Sequence, residues 1–417
     1  MAQFIIQGGS PLKGEIKVNG SKNTSLKIAA ATILTDQTCL LTNIPQISDI
    51  AVMLEIIQRL GGKVVIKDHS LIINNSSLNS ASPPEDLVKR MRASIVVVGP
   101  LLARFKEVRI SQPGGDLIGA RPIDTHIDAF RQLDVQVEQE NGSFLFRANR
   151  ARANKVILRE MSVTATENIM MFAATLKGET EIRVAAAEPE IEDLARCLNK
   201  MGARISGAGT HVVQIKGVSR LGGVEHQVIP DRIEAGTFII AASASRGKVR
   251  VTHLIPQHLD AVIYKLKEAN AQLVIESDAV LVKPTTSLRP VYIDTRPYPG
   301  FPTDLQAPMA VLLTQASGTS RIFETLFESR FNYTKELAKM GADITILNPH
   351  TIDIHGPTPL YGKEILSYDL RAGASLVIAA LIAKGESIID HVELIDRGYE
   401  AFDERLKALG AKIERKQ

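Results

Sequence analysis

Leu409-Gly410-Ala411-Lys412-Ile413, near the end of the chain, decides the fold because five relatives of it stand upstream. They are Leu60-Gly61-Gly62-Lys63-Val64, Leu133-Asp134-Val135-Gln136-Val137, Met201-Gly202-Ala203-Arg204-Ile205, Ala269-Asn270-Ala271-Gln272-Leu273 and Met340-Gly341-Ala342-Asp343-Ile344. Successive copies lie about 70 residues apart, a period that marks repeated supersecondary units. The second residue of each is Gly, Asn or Asp, the types that take the left-handed backbone ending a helix. An amphipathic helix is predicted before each cap, and an alternating strand, such as Lys63 to Lys67, after it.

Working outward, every copy also holds an earlier, Ala-rich apolar helix, beginning near Lys22, Arg92, Thr164, Arg232, Asp304 and Arg371. A helix apolar nearly all round, such as Ala372 to Ala383, belongs inside a core; the capped helices with polar faces, such as Asp193 to Lys200, belong outside. The pattern predicts an α/β fold of six units, with sheets packed around inner helices. At 417 residues the chain exceeds the size of a single core, so the six units divide three and three between two domains. The chain is expected to cross near Gly20 and Ser21 and to return near Ile229 and Pro230. One domain then takes residues 1–20 and 230–417, closed by the strand Phe4 to Ile6, and the other takes 21–229.

Composition narrows the function. Lys and Arg number 49 against 46 Asp and Glu, which gives no general case for a nucleic-acid or membrane-surface protein, so any anion site is local. Cys39 and Cys197 are the only cysteines and lack metal-ligand spacing, so neither a disulfide framework nor a zinc site is expected. The N-terminus lacks the pattern of a secretory signal, and no apolar run is long enough to span a bilayer. A cytoplasmic protein is the expectation.

Unusual residues fall at equivalent places in the repeats. Lys22, Arg92, Asp304 and Arg371 stand at the starts of inner helices, where unpaired N–H groups and the helix dipole favour anions. Arg121, Arg330 and Arg397 precede outer helices. The stretch Gln112 to Pro122, reading QPGGDLIGARP, places Asp116 on a glycine-rich loop with Arg121 at its base. Its glycines lack the dinucleotide spacing, and no nucleophilic-serine elbow is present. Arginines that can grip carboxylate or phosphate in pairs, with two separated carboxylates as acid and base, suit a reaction on a small polyanion.

Ser21-Lys22-Asn23, Met91-Arg92-Ala93-Ser94, Pro113-Gly114-Gly115 with Ile118-Gly119-Ala120-Arg121-Pro122, Glu188-Pro189-Glu190-Ile191, Pro230-Asp231-Arg232-Ile233-Glu234, Phe301-Pro302-Thr303-Asp304, Asp369-Leu370-Arg371-Ala372 and Ile395-Asp396-Arg397-Gly398-Tyr399-Glu400 resemble the UDP-N-acetylglucosamine 1-carboxyvinyltransferases, the enolpyruvyl transferases of peptidoglycan synthesis. The likeness runs through the whole chain in order. It implies two inverse α/β barrel-like domains of three repeats each, closing over the substrates, and transfer of enolpyruvate from phosphoenolpyruvate to the 3-hydroxyl of UDP-N-acetylglucosamine without metal or other cofactor. It further implies that Lys22, Arg121 and Arg397 bind phosphoenolpyruvate with help from Arg371, and that Asn23 touches both substrates. Asp304 would accept the hydroxyl proton, and Asp116, on the catalytic loop 112–122, would protonate the methylene carbon. Nucleotide-sugar contacts would fall on Arg92, on Arg121, Pro122, Ile123, Asp124 and Thr125, on Met161, Ser162 and Val163, and on Asp304 and Leu326, with Arg330 nearby.

The chain departs from the family pattern at three positions. Asp116 stands where most members carry cysteine, and a carboxylic acid can donate a proton near neutral pH only where its surroundings favour the protonated form. Glu160 and Thr164 replace an expected lysine and glycine beside the implied nucleotide site. The shikimate-pathway relative shares the chemistry but not these acceptor motifs. An inactive nucleotide-sugar sensor would have no need to retain Lys22, Asp304 and Arg397.

Overall fold

In a computed structural model that describes residues 2–116 and 118–416, all six cap residues take the left-handed backbone. Their φ angles are 103° at Gly61, 59° at Asp134, 103° at Gly202, 67° at Asn270, 105° at Gly341 and 90° at Gly410. Each cap follows an outer helix: Ser48–Arg59, Asp124–Arg131, Pro189–Lys200, Asp260–Glu268, Tyr333–Lys339 and Phe402–Ala408. The chain then reverses into antiparallel strands, as where Lys63–Lys67 pairs with Ser70–Asn74.

The inner helices lie where the Ala-rich runs predict. Arg232–Ala244 and Leu370–Ile382 bury nearly every residue, and Lys22–Ala31 leaves only Asn23 part-exposed. Two of the six begin differently from the expectation of plain α-helix. Arg92–Val97 and Thr303–Leu305 are 3-10 turns, followed by the α-helices Val98–Phe105 and Gln306–Leu313. Pro100 and Pro308 cause this, because each lacks the N–H that would bond one turn back and is tolerated only in the first turn of a helix.

The chain forms two compact units, one of residues 2–19, 118–120 and 230–416, the other of Gly20–Asp116 and Arg121–Ile229. Each has its own hydrophobic core. The first unit holds three four-stranded sheets around the helices Arg232–Ala244, Gln306–Leu313 and Leu370–Ile382. Strand Gln3–Gln7 lies in one of these sheets, antiparallel to both Glu386–Asp390 and Lys412–Lys416. The second unit repeats the plan around Lys22–Ala31, Val98–Phe105 and Val163–Ala173, but one of its sheets has three strands, Glu107–Ser111, Ser143–Arg147 and Gln136–Glu140.

That shortened sheet positions the glycine loop. The other five sheets receive a short parallel strand from the segment before an inner helix, as when Lys155–Ile157 joins Glu179–Arg183. In the exceptional repeat that segment carries Pro83 and Pro84 and forms the short helix Glu85–Val88 instead. A proline has no N–H for a ladder, which excludes a paired strand there. The loop takes up the vacant backbone: Gly114 donates to the Val88 carbonyl over 3.3 Å. A Cβ on Gly114 would fall 1.7 Å from the Lys89 carbonyl oxygen, so only glycine fits.

Three local expectations need correction. Strand Lys63–Lys67 is an edge strand with Val65 and Ile66 exposed, so its apolar residues do not alternate into a core. Asp193, read as part of a polar outer face, is buried and accepts from the Ile229 N–H and from Arg196, with His226 Nε2 3.1 Å away. The loop 112–122 does not belong wholly to residues 21–229. Residues 118–120 group with the first unit, where Ala120 N–H donates to Glu328 Oε1 over 2.7 Å and Ser329 N–H to the Ile118 carbonyl over 3.2 Å.

Candidate active site

In the second unit, Ser21 caps the inner helix by accepting from the Thr24 N–H, and Lys22 opens it. Lys22 is buried, with its Nζ 2.8 Å from Asp49 Oδ2 at the start of the first outer helix. A buried ammonium needs such a partner, because leaving water costs an ion several kcal/mol. Asn23, next along, is part-exposed.

Two arginines hold the glycine loop. Arg121 Nη2 donates to the Asp116 carbonyl over 2.9 Å, and Arg92 Nη2 donates to the Pro122 carbonyl over 2.8 Å. At Gly115, where φ is 117°, a Cβ would stand 2.9 Å from Arg121 Nη2 and 3.0 Å from the Arg92 Cβ. Burial, with the like charge of Arg121 adding to it, pushes the Arg92 guanidinium down to about 10. An anion bound beside two neighbouring cations lowers their mutual repulsion.

The next stretch is tied to Glu160 and Thr164. Thr125 donates to Glu160 Oε1 over 3.0 Å, and His126 Nε2 lies 3.0 Å from Thr164 Oγ1. Both departures from the family pattern therefore act as internal partners. Ile123 is buried, while Pro122 and Asp124 are exposed. Met161 is exposed, and Ser162 caps helix Val163–Ala173 by accepting from the Ala165 N–H.

In the first unit, Asp304 accepts on both oxygens. Arg330 Nη2 donates to Oδ1 over 2.7 Å and Arg371 Nε to Oδ2 over 3.1 Å. Burial acts to raise the Asp304 pKa, but Arg330 and Arg371 outweigh it and hold the carboxyl well below the usual range. Arg330 Nη1 also donates to Thr303, whose hydroxyl donates to Glu324, and Glu324 in turn accepts from the Leu326 N–H. Arg371 lies over the Tyr399 ring at 5.2 Å, and its buried Nη1 makes no hydrogen bond among the described residues.

Asp369 caps its helix through the N–H groups of Arg371 and Ala372, and the Arg371 side chain reaches Asp304. Beside Arg397, which ends the turn Val392–Arg397, the Asp396 carboxylate accepts two hydrogen bonds from Arg415. Glu328, which holds Ala120, escaped the sequence reading, because a glutamate in a turn carries no signal. So did the link from Thr164 through the buried His126 to the buried Asn168, because His126 lies about forty residues before the other two.

Residues 6–406 match the family profile described as EPSP synthase (3-phosphoshikimate 1-carboxyvinyltransferase). UDP-N-acetylglucosamine 1-carboxyvinyltransferase 2 of Carboxydothermus hydrogenoformans is 48% identical over 417 residues, covering 100% of this chain and 99% of that protein. The UDP-N-acetylglucosamine 1-carboxyvinyltransferase of Psychromonas ingrahamii is 47% identical with the same coverage. Among solved structures, the enolpyruvyl transferase NikO from Streptomyces tendae superposes with a TM-score of 0.90 at 25% identity, covering 99% of this chain and 98% of its own. EPSP synthase from Acinetobacter baumannii, at 19% identity and a TM-score of 0.76 over 100% of both chains, shares the fold.

Proposed function

Since this chain belongs to the UDP-N-acetylglucosamine 1-carboxyvinyltransferase family of enolpyruvyl transferases, we propose how its own residues divide the work of enolpyruvyl transfer in peptidoglycan synthesis. The substrates on this reading are phosphoenolpyruvate and UDP-N-acetylglucosamine. Lys22, Arg121, Arg371 and Arg397 bind the phosphate and carboxylate of phosphoenolpyruvate, and Asn23 orients both substrates. The nucleotide sugar is held by Arg92, by Pro122, Ile123, Asp124 and Thr125, by Met161, Ser162 and Val163, and by Leu326, with Arg330 fixing Asp304. The observation that carries this reading is the packing of Arg92 and the Arg121 guanidinium against Gly115, beside Asp116, with the Arg121 charge felt at Arg92. Paired guanidiniums bind and orient an oxyanion, and they act more strongly where water is excluded.

The reaction is an addition followed by an elimination. The sugar hydroxyl oxygen bonds to C2 of phosphoenolpyruvate while the methylene carbon C3 takes a proton from Asp116, giving a tetrahedral ketal that still carries phosphate. Loss of a proton from the new methyl group and cleavage of the C2–O bond to phosphate then leave the enol ether and inorganic phosphate. Asp304 receives the hydroxyl proton. Held ionised by Arg330 and Arg371, it is always ready to accept a hydrogen bond, and it takes the proton late, as C–O bond formation makes the hydroxyl acidic. The free, buried Cys39 and Cys197 accord with the reducing cytoplasm in which this reading places the protein.

The test is phosphate release from phosphoenolpyruvate. Release is expected with UDP-N-acetylglucosamine and not with shikimate 3-phosphate. Silence with both, in a folded protein that binds the nucleotide sugar, would replace this reading with that of a sensor.

A further inference from the structure

Asn168 is fully buried, and two backbone groups fix which way its amide points. Its Oδ1 accepts from the Gly99 N–H over 2.7 Å, and its Nδ2 donates to the Ile95 carbonyl over 2.9 Å. The same Nδ2 lies 3.0 Å from His126 Nδ1. Since an amide nitrogen can only donate, Nδ1 is an acceptor and carries no proton. A neutral imidazole has one N–H, which must then be at Nε2, so His126 donates to Thr164 Oγ1 over 3.0 Å. Burial, reinforced by the charge of Arg92, pushes His126 down to about 3, which keeps the ring neutral at physiological pH.

Thr164 is therefore obliged to accept from the protein, and its own hydroxyl proton is left for another partner. Among the described residues Oγ1 has no hydrogen-bond partner besides His126. Thr164 is part-exposed at the start of helix Val163–Ala173, where the N–H groups of Val163 and Thr164 make no hydrogen bond among the described residues. The hydroxyl thus adds a third donor, of fixed polarity, to an end of the helix that already attracts oxygen acceptors.

We propose that Thr164 is a specificity-determining residue that donates its hydroxyl proton to an oxygen of the bound nucleoside-diphosphate sugar, with His126 and Asn168 as the positioning residues that set its direction. The proposal rests on the reading that this chain binds UDP-N-acetylglucosamine.

The test is calorimetric titration of UDP-N-acetylglucosamine, and separately of UDP, into the parent protein and the variants Thr164→Val and Thr164→Ser, with melting temperatures measured alongside. Removing a hydrogen bond to a charged acceptor weakens binding by about tenfold or more. Thr164→Val is expected to lose that factor for the nucleotide sugar while the Michaelis constant for phosphoenolpyruvate stays within about twofold, and Thr164→Ser to restore binding. A loss shared by UDP puts the acceptor on the nucleotide diphosphate, and a loss confined to UDP-N-acetylglucosamine puts it on the sugar; both uphold the proposal. Unchanged binding by Thr164→Val, whatever its melting temperature, means that the hydroxyl only seals His126 and overturns the proposal alone. A parent protein that binds no nucleotide sugar overturns the underlying reading as well.

Discussion

Asp116 stands where the family resemblance leads one to expect cysteine. A thiolate opens the epoxide fosfomycin to a stable thioether, whereas a carboxylate at the same place lacks that nucleophilicity. Intact-mass measurement is expected to find no fosfomycin adduct on the parent protein and a single adduct on Asp116→Cys. Asp116→Asn, which has no proton to give, should lower kcat at least about a hundredfold with little change in either Michaelis constant. An adduct on the parent loop, or an active Asp116→Asn, would remove the role assigned to the acid. Glu167 is a second chemically exposed choice, although it lies wholly inside the second unit. Both its oxygens lack hydrogen-bond partners among the described residues, and Lys27 Nζ, at 3.7 Å, is too distant to donate. Burial pushes its carboxyl from an ordinary 4.5 to about 8, with Lys27 opposing the shift and Glu190 and Glu188 adding to it. Between those two values the unfolded chain releases a proton that the native protein keeps, so this contribution to stability is full below about 4.5 and is lost as pH rises to about 8. Relative to the parent, Glu167→Gln should therefore gain several degrees of melting temperature between pH 5 and pH 8. Parallel melting curves would show that Glu167 is already ionised.

Among the elements, the caps explain how six dissimilar five-residue stretches do the same work. Asp134 and Asn270 adopt φ near 60°, which their short polar side chains tolerate, while the glycine caps lie near 90° to 105°, where other residues are strained. Gly341→Ala is expected to cost about 1–2 kcal/mol, since its Cβ would also approach the Pro359 carbonyl oxygen at 3.2 Å. Asn270→Gly should stay within about 0.5 kcal/mol, because glycine accepts the same angle. Chemical denaturation of the two variants checks the contrast, and equal losses would mean that the caps work through side-chain contacts instead. The caps, the Ala-rich runs and the helix-opening charged residues were all legible, because each depends on neighbours in sequence. The missing fourth strand of one sheet was not, although Pro83 and Pro84 signalled it locally, because its consequence is a seat for Gly114 about thirty residues on.

At the scale of the molecule, two cores are assembled from non-overlapping sets of residues. In the second unit Phe172 meets Phe130 edge-on at 5.6 Å, and Phe130 meets Phe146 at 5.4 Å. Phe172→Ala should cost about 3–5 kcal/mol through the cavity it leaves. Because no residue of that cluster belongs to the other core, hydrogen exchange is expected to speed up in helices Lys22–Ala31 and Val163–Ala173 and to stay unchanged in Arg232–Ala244 and Leu370–Ile382. Uniform loss of protection would mean that the units unfold as one.

The repeat count, the inner and outer helices and the family were determined by sequence alone, since periodicity, caps and apolar runs are local and recur. The candidate site residues Lys22, Arg92, Arg121, Asp304 and Arg371 were also singled out by their places in that repeat, and Asp116 by its glycine-rich loop and the family resemblance. Tertiary structure decided their partners: Asp49 for Lys22, Asp304 for the Arg371 side chain, and Glu328 for the far end of the glycine loop. It also decided the direction of the hydrogen bond from His126 to Thr164, which depends on Asn168 and two backbone groups of another segment. Hydrogen bonds and charge pairs between distant segments leave no period in the sequence, so their polarity becomes legible only when the fold brings the donors and acceptors together.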